Sequence, residues 1–243
     1  MTTTTQRDKE LSLVQHLKEL RDRVMVSAIA VAITTALAFT FTTQIIKFLL
    51  IPSGVDRLLA LSPTEGFTTY FRVALFAGIA LAMPVLLYEI YAYIDPALYP
   101  PERRFIRAVG LPVLFLFVLG MAFCYFVLLP RAIPFLINFG GDVIQNQLRA
   151  AEYLSFVTTF ILGMGIVFEV PIIIWALVRV GIVQRSWLAK QRRYVFLLSF
   201  VIGAIITPTP DPFNQTLVAV PMYLLWELGL LLARFAGGSR RAA

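Results

Sequence analysis

The chain has 243 residues, of which 59% are hydrophobic and 14% are charged, and its mean hydropathy is +0.80. A chain this apolar cannot remain soluble as a globular domain, so the composition predicts a membrane protein. The formal net charge is +7. The basic residues lie beside apolar runs, where orientation and anionic headgroups explain them, and no nucleic-acid partner is expected.

Most of the 21 Lys and Arg residues lie in four short stretches that alternate with pairs of apolar segments. These stretches cover residues 1–23, 95–107, 179–193 and 234–241. The intervening connections at 47–69, 131–152 and 208–213 contain few basic residues. Because cytoplasmic loops carry the excess of Lys and Arg, the basic stretches and both termini are predicted to face the cytoplasm.

Six apolar segments predict an all-α polytopic membrane protein, a single six-helix domain covering residues 1–243. The predicted spans are residues 24–46, 67–94, 108–129, 153–178, 194–206 and 216–233. The fifth span is short, because a helix over 194–206 rises only about 20 Å against a hydrocarbon core of about 30 Å. Either the bilayer thins there or residues 187–193 extend the helix.

Local signals locate the starts of the first two spans. The polar residues 1–23 and the long apolar run after them predict no cleavable signal peptide. Four apolar residues in this stretch recur with a helical period, which predicts an amphipathic helix at the inner surface. They are Leu13, Leu17, Leu20 and Val24. Residues 62–65 read Ser-Pro-Thr-Glu, a capping box that predicts a helix start ahead of the second span.

Prolines interrupt the later spans. Pro130 and Pro134 are expected to bend or end the third span near the outer surface. Pro171 is expected to kink the fourth span, and Pro221 breaks the sixth. The last two spans are therefore unusual, one because it is short and the other because it is broken.

The chemistry of common enzymes and metal sites is absent from the sequence. His16 is the only histidine, which excludes a Ser-His-Asp arrangement and a His-rich metal site. No P-loop motif occurs, and the lone Cys124 has no partner for a disulfide. Paired intramembrane aspartates are not expected, because loops contain or adjoin Asp56, Asp95, Asp142 and Asp211. We therefore expect no enzyme activity, no cofactor and no metal.

Glu169 is the charge that stands out on physical grounds, because it lies well inside the fourth predicted span. An acidic residue near the centre of a membrane helix costs about 2.5 to 3.5 kcal/mol, so it must face a partner, face a cavity or be protonated. A neutral, hydrogen-bonded carboxyl that locks helices together is the structural alternative. Glu89 and Glu227 lie near inner ends of spans and are expected to be interfacial charges.

Glu19 and Glu102 project from inner-surface segments that flank the first two spans. Each has a local explanation as a solvated surface charge. Glu19 precedes Arg23 by four residues, a helix pair that contributes about 0.2 to 0.5 kcal/mol, and Glu102 adjoins Arg103. Spacing alone therefore leaves open whether either carboxylate has a function.

Taken together, several motifs resemble the TatC family, the multispanning subunit of the twin-arginine protein translocase. The resemblance spans the chain, and each motif is weak singly but lies in the expected order. The motifs are His16-Leu17-x-Glu19-Leu20-Arg21-x-Arg23, Pro63-x-Glu65-x-Phe67, Pro96-Ala97-Leu98-Tyr99-x-x-Glu102-Arg103-Arg104, Phe168-Glu169-x-Pro171, Thr207-Pro208-x-Pro210-Asp211-x-x-x-Gln215 and Pro221 to Glu227. Two departures are Glu89, where an uncharged polar residue is common, and Tyr93, where Phe is common.

The resemblance implies that the protein binds signal peptides carrying two adjacent arginines at its cytoplasmic face. Glu19 and Glu102 would accept bidentate bonds from guanidinium groups, which lysine cannot reproduce. The family's site further implies a surface shaped by Leu20, Arg21, Tyr93, Pro96, Leu98 and Arg103.

The resemblance also implies a concave, glove-like bundle in the cytoplasmic membrane of a prokaryote, a possible homo-oligomer. Glu169, Asp211 and Gln215 would form intramembrane polar contacts or partner contacts, with Glu169 opening onto the lipid-facing hollow. TatA- and TatB-type single-span subunits would assemble along this wall, and the proton gradient would drive export of folded cargo. Lipid would be a further partner.

Two alternatives remain open at the level of sequence. A proton-coupled small-solute transporter is suggested by Glu169, Asp211 and the proline-broken spans. A passive membrane scaffold that only gathers partners would need neither Glu102 nor Glu169. Substitution of these glutamates distinguishes the three hypotheses.

Overall fold

The computed structural model describes residues 13–55, 57–95, 100–139, 147–207 and 211–235. The side chains of residues 13, 14, 100–102 and 104–108 also lie outside the described part. Within these ranges the chain is helical, and the only pairing of extended backbone is a bridge between Leu59 and Arg149. The prediction of an all-α fold is confirmed.

The helices follow one another with short connections. They are α1 (Leu13–Thr40), α2 (Thr42–Leu50), α3 (Pro63–Ile94), α4 (Pro100–Phe123), α5 (Leu129–Asn138), α6 (Ala150–Val167), α7 (Val170–Val180), α8 (Arg185–Lys190), α9 (Arg192–Ile206) and α10 (Pro212–Arg234). A 3₁₀ turn at Ile51–Ser53 follows α2, and a π-helical turn at Cys124–Leu128 joins α4 to α5.

Five helical segments of the described chain are long and apolar enough to cross a membrane. They are Gln15–Thr40, Pro63–Ile94, Val109–Asn138, Ala150–Val180 and Pro212–Arg234. The prediction of a short helix near residues 194–206 is confirmed by α9, which has 15 residues. Gln191 separates α9 from α8, so residues 187–193 do not extend it as one continuous helix. The rise of α9 is therefore about 22 Å.

Helix α1 corrects the prediction of a separate surface helix before the first span. Its described part runs without a break from Leu13 to Thr40, and this stretch contains no glycine or proline that would end a helix. Leu17 and Val24 are 64% and 57% exposed, so their side chains are available to lipid. The first helix ends at Thr40, six residues before the predicted end at Ile46.

The prolines act differently in the third and fourth helical segments. Pro130 and Pro134 do not end the third segment, which continues to Asn138; the π-helical turn just before Pro130 accommodates the missing N–H donor. Pro171 does break its segment, as predicted. Pro171 cannot donate to the carbonyl of Val167, the residue at which α6 ends.

Helix α3 begins at Pro63, as the capping-box motif predicts, but the hydrogen bonds differ from those of a capping box. Glu65 accepts the backbone N–H of Leu61 at 2.8 Å, and the Ser62 hydroxyl lies 3.2 Å from the Thr64 hydroxyl. Glu65 is turned away from the Ser62 backbone because its second oxygen is bound by Arg149 and the N–H of Ala151.

The core has two parts. The larger surrounds α6, where Leu154, Val157 and Phe160 are at most 1% exposed and belong to one cluster with buried residues of the π-helical turn and α5. The smaller cluster joins α7, α8 and α10 through Ile174, Leu188, Leu230 and Ala233. By contrast, only 11% of the apolar window of the first segment is buried, so α1 is peripheral and depends on α3 for its position.

Helices α1 and α3 approach closely at Gly78. The Thr34 hydroxyl donates to the Gly78 carbonyl at 2.8 Å, and a Cβ atom at residue 78 would lie 2.7 Å from the backbone Cα of Thr35. Membrane helices use small residues in this way to bring backbones together. The contact therefore sets how closely α1 packs against α3.

We expect Gly78→Ala to destabilise the protein by about 1 to 3 kcal/mol, because the added methyl group meets backbone that cannot move aside easily. Thermal unfolding in detergent, followed by near-UV circular dichroism, measures the effect. Gly66→Ala is the matched control, since a Cβ atom there meets nothing within 4 Å on the same helix. Equal melting temperatures for the two variants would contradict the close approach.

Candidate functional site

An arginine lies between two carboxylates at the predicted cytoplasmic ends of α1 and α3. Arg23 Nη2 is 3.0 Å from Glu19 Oε1, and Arg23 Nη1 is 3.0 Å from Glu89 Oε2. Arg23 Nε also donates to Glu19 Oε1 at 3.3 Å. The helix pair of Glu19 with Arg23 is confirmed, and Glu89, predicted as an interfacial charge, is a second partner of Arg23.

A groove of about 480 Å³ opens beside this ion-pair cluster. It is lined by Gln15, Lys18, Glu19, Asp22, Arg23, Val26 and Glu89. Both carboxylates are therefore reachable from one side, although Glu89 has only 11% of its side chain exposed. A cationic group that entered the groove would meet partly desolvated acceptors, where charge-assisted hydrogen bonds are strong.

Aromatic stacking places the start of α1 against the end of α3. The rings of His16 and Tyr93 stack with centroids 4.6 Å apart and an interplanar angle of 21°. The structure thus brings Tyr93 to the same end as Glu19. Leu20 is 39% exposed, and Arg21 is paired with its neighbour Asp22 at 2.7 Å.

The connection from α3 to α4 and the first turn of α4 contain the remaining predicted binding residues. Arg103 Nη1 lies 3.6 Å from Asp95 Oδ2, an ion pair across this connection. Pro96 and Leu98 lie outside the described residues, as does the side chain of Glu102, whose backbone is in the first turn of α4. The placement of Glu102 relative to Glu19 stays a prediction.

Glu169 lies at the break between α6 and α7 and is only 5% exposed. Neither carboxylate oxygen forms a hydrogen bond with the described residues. The adjacent Phe168 packs on Gly120 and stacks at a tilt on Phe123, 5.3 Å between centroids. A buried carboxyl without a partner is costly, so its retention needs a reason outside these intramolecular contacts.

The other predicted intramembrane polar residues satisfy backbone groups. Asp211 accepts the backbone N–H of Asn214 at 2.7 Å and so caps the start of α10. Gln215 donates its amide to the Phe200 carbonyl at 2.7 Å and joins α10 to α9. Neither residue forms a hydrogen bond with Glu169 among the described residues, and their role in partner contacts stays a prediction.

A second polar network lies at the predicted outer face, and the sequence did not indicate it. Glu65 is 4% exposed and receives hydrogen bonds from Arg149 Nε at 3.1 Å and from the Ala151 N–H at 3.1 Å. The Glu65 carboxylate raises the pKa of Arg149 above its usual value, so this guanidinium stays charged. The network joins the two long outer connections, because Leu59 also exchanges backbone hydrogen bonds with residues 148 and 150.

Glu227, also predicted as an interfacial charge, is likewise paired. Arg192 donates to both of its oxygens, at 2.7 and 2.8 Å, and this bidentate pair ties α9 to α10. None of the described His, Cys, Asp and Glu side chains gather in a group of three or more that could hold a metal ion. The site chemistry is that of ion pairs and hydrogen bonds.

The sequence and the fold resemble known proteins. The profile of the family described as "Sec-independent protein translocase protein (TatC)" matches residues 15–221. Curated relatives with that description include one from Carboxydothermus hydrogenoformans, 34% identical over 94% of this chain and 95% of the relative, and one from Escherichia coli K12, 37% identical over 94% of this chain and 90% of the relative.

Two solved structures are also similar. One, described as the crystal structure of the twin arginine translocase receptor TatC, has a TM-score of 0.81 and 37% identity and covers 91% of this chain and 99% of that chain. The other, of the same receptor in the detergent DDM, has a TM-score of 0.82. Sequence and fold thus agree over nearly the whole length. This multi-pass membrane protein belongs to the TatC family of Sec-independent protein translocase proteins, which are transport components and not enzymes.

Proposed function

We propose that this chain is the receptor subunit of a twin-arginine translocase and binds, at its cytoplasmic face, signal peptides that carry two adjacent arginines. One observation carries the proposal: the site at the end of α1 already binds a guanidinium group, that of Arg23, with Glu19 and Glu89. The same carboxylates face a groove that a peptide side chain can enter. Glu102, from the start of α4, is the second recognition carboxylate.

Recognition of arginine rather than lysine follows from the donors. A guanidinium group presents a planar fork of N–H donors, whereas an ammonium group is a point charge. Arg23 uses three of its donors on two carboxylates, and a single lysine nitrogen cannot span the same acceptors. The description of the similar solved structure as a twin arginine translocase receptor supports this assignment.

In this proposal the membrane domain has six spans and both termini in the cytoplasm, within the cytoplasmic membrane of a prokaryote. The fifth span is α9, which is too short for an undistorted bilayer and would thin it locally. The spans form a concave wall. TatA- and TatB-type subunits assemble along this wall. The proton gradient drives the export of folded cargo. The protein is also able to form homo-oligomers.

The test of the proposal is peptide binding to the purified protein in lipid nanodiscs. A labelled peptide with two adjacent arginines ahead of an apolar segment should bind at least about tenfold more tightly than the same peptide with two lysines. Photo-crosslinkers placed at Glu102 and Glu169 should capture this peptide only from residue 102. Equal affinities for the arginine and lysine peptides would remove the recognition proposal.

A further inference from the structure

Arg23 occupies a site built from two helices. Glu19 lies one turn before it on α1, whereas Glu89 lies 66 residues away on α3. The side chains of Arg23, Glu19 and Glu89 are 28%, 23% and 11% exposed, so the cluster is partly desolvated and still reachable from the groove. An ion pair on a helix surface needs only one carboxylate, here Glu19. The presence of Glu89 as a second carboxylate therefore needs an explanation.

The cluster has more acceptors than its resident arginine uses. Arg23 bonds only Oε1 of Glu19 and only Oε2 of Glu89, and no other described hydrogen bond reaches either carboxylate. Within the cluster, two carboxylates against one guanidinium leave one negative charge in excess, and Lys18 in the groove lining offsets it only at longer range. Of the neighbouring groups that line the groove, Asp22 is paired with Arg21, and Lys18 forms no ion pair with the described chain.

We propose that Arg23 is a resident stand-in for a signal-peptide arginine: it holds Glu19 in the resting protein, and Glu89 retains Arg23 when an incoming guanidinium takes its place on Glu19. The proposal rests on the signal-peptide binding proposed above. Both carboxylates stay paired throughout, because the incoming cation supplies the charge that the cluster lacks. Glu89 is therefore a positioning residue that acts through Arg23.

The exchange also improves discrimination. Arg23 Nε and Nη2 share one oxygen of Glu19, at 3.3 and 3.0 Å, whereas an incoming arginine is free to bond both oxygens. A lysine would replace two donor nitrogens with one and leave Glu19 with weaker bonding than before. An incoming group must therefore bind Glu19 more strongly than Arg23 does in order to displace it, which a guanidinium does and an ammonium does not.

The experiment is a double-mutant cycle on peptide affinity, with full-length protein in nanodiscs and the labelled two-arginine and two-lysine peptides as probes. Arg23→Gln should bind the arginine peptide about tenfold more tightly and show a smaller preference for arginine over lysine. Glu89→Gln should bind the arginine peptide about tenfold more weakly, because Arg23 is then confined to Glu19. In the Arg23→Gln background, the loss caused by Glu89→Gln should shrink at least about threefold.

Equal losses from Glu89→Gln in both backgrounds would mean that Glu89 contacts the peptide directly, which overturns the exchange. Weaker binding by Arg23→Gln with an unchanged melting temperature would overturn it as well. If Arg23→Gln does not fold, Arg23→Lys takes its place, and tighter binding of the arginine peptide is again required. Arg192→Gln, which breaks the separate pair with Glu227, is the control and should leave affinity unchanged.

The proposed function and the exchange fail in different ways. If the wild-type protein shows no preference for the arginine peptide, the recognition proposal itself is wrong. If that preference is present and is lost in Glu102→Gln, but Arg23→Gln does not tighten binding, recognition stands and only the role of Arg23 is wrong.

Discussion

Glu102→Gln is expected to reduce export of a two-arginine cargo about tenfold or more, while the protein still inserts and accumulates normally. The substitution keeps the size and shape of the side chain and removes the charge that accepts a guanidinium group. A charge-assisted hydrogen bond contributes about 1.5 to 3 kcal/mol, which corresponds to about a ten- to hundredfold change in affinity. Export of a folded reporter protein in cells, normalised to the amount of membrane-inserted variant, measures the effect.

The control for this variant is Glu152→Gln, because Glu152 is 73% exposed and lies on the predicted outer face. It should export at the wild-type rate. Unimpaired export by Glu102→Gln would remove the recognition proposal and favour the two alternatives. A small-solute transporter would tolerate Glu102→Gln and fail with a substitution at Glu169, whereas a passive scaffold would tolerate both.

The helices could be predicted from the sequence because each depends on a local pattern. Apolar length predicts the spans, Pro63 predicts the start of α3, and Pro171 predicts the break after Val167. Local patterns are less reliable where two signals compete. Leu13 to Val24 show a surface-helix period, yet they continue into the first span, because nothing between them and Thr40 ends a helix.

The ion pairs of the candidate site could not be predicted for a different reason. Arg23 meets Glu89 across 66 residues, and Arg149 meets Glu65 across 84 residues, so no spacing in the sequence joins them. These pairs depend on how α1 and α6 pack on α3. The one available signal was the carboxylate at residue 89, where the family commonly has an uncharged polar residue; a charge there requires a cation nearby.

The cytoplasmic site and the Glu169 site differ in whether their carboxylates have partners. At the predicted cytoplasmic end, Glu19 and Glu89 are paired and lie beside a groove, which suits exchange of a cationic partner. At the centre of the fourth segment, Glu169 is buried and has no hydrogen bond within the described chain. The first arrangement stabilises the free protein, whereas the second destabilises it. A residue retained at a cost to stability is expected to act in a complex.

Glu169→Leu is therefore expected to stabilise the isolated protein by about 1 to 3 kcal/mol and, at the same time, to reduce export. Leucine has a similar volume and removes an unpaired polar group from an apolar environment, while the contact with a partner helix is lost. Thermal unfolding in detergent and the export assay give the two readouts. The two-arginine signal peptide should bind this variant with the same affinity as the wild type, since Glu169 lies outside the cytoplasmic groove.

Glu227→Leu is the matched control, because it makes the same replacement at a carboxylate that has a partner. Arg192 donates to both oxygens of Glu227, so this variant leaves a guanidinium unpaired and should be less stable, the opposite sign to Glu169→Leu. A destabilised Glu169→Leu would show that the carboxyl is satisfied within the isolated protein. Stabilisation with full export would show that no partner uses it, and the role of Glu169 in assembly would then be excluded.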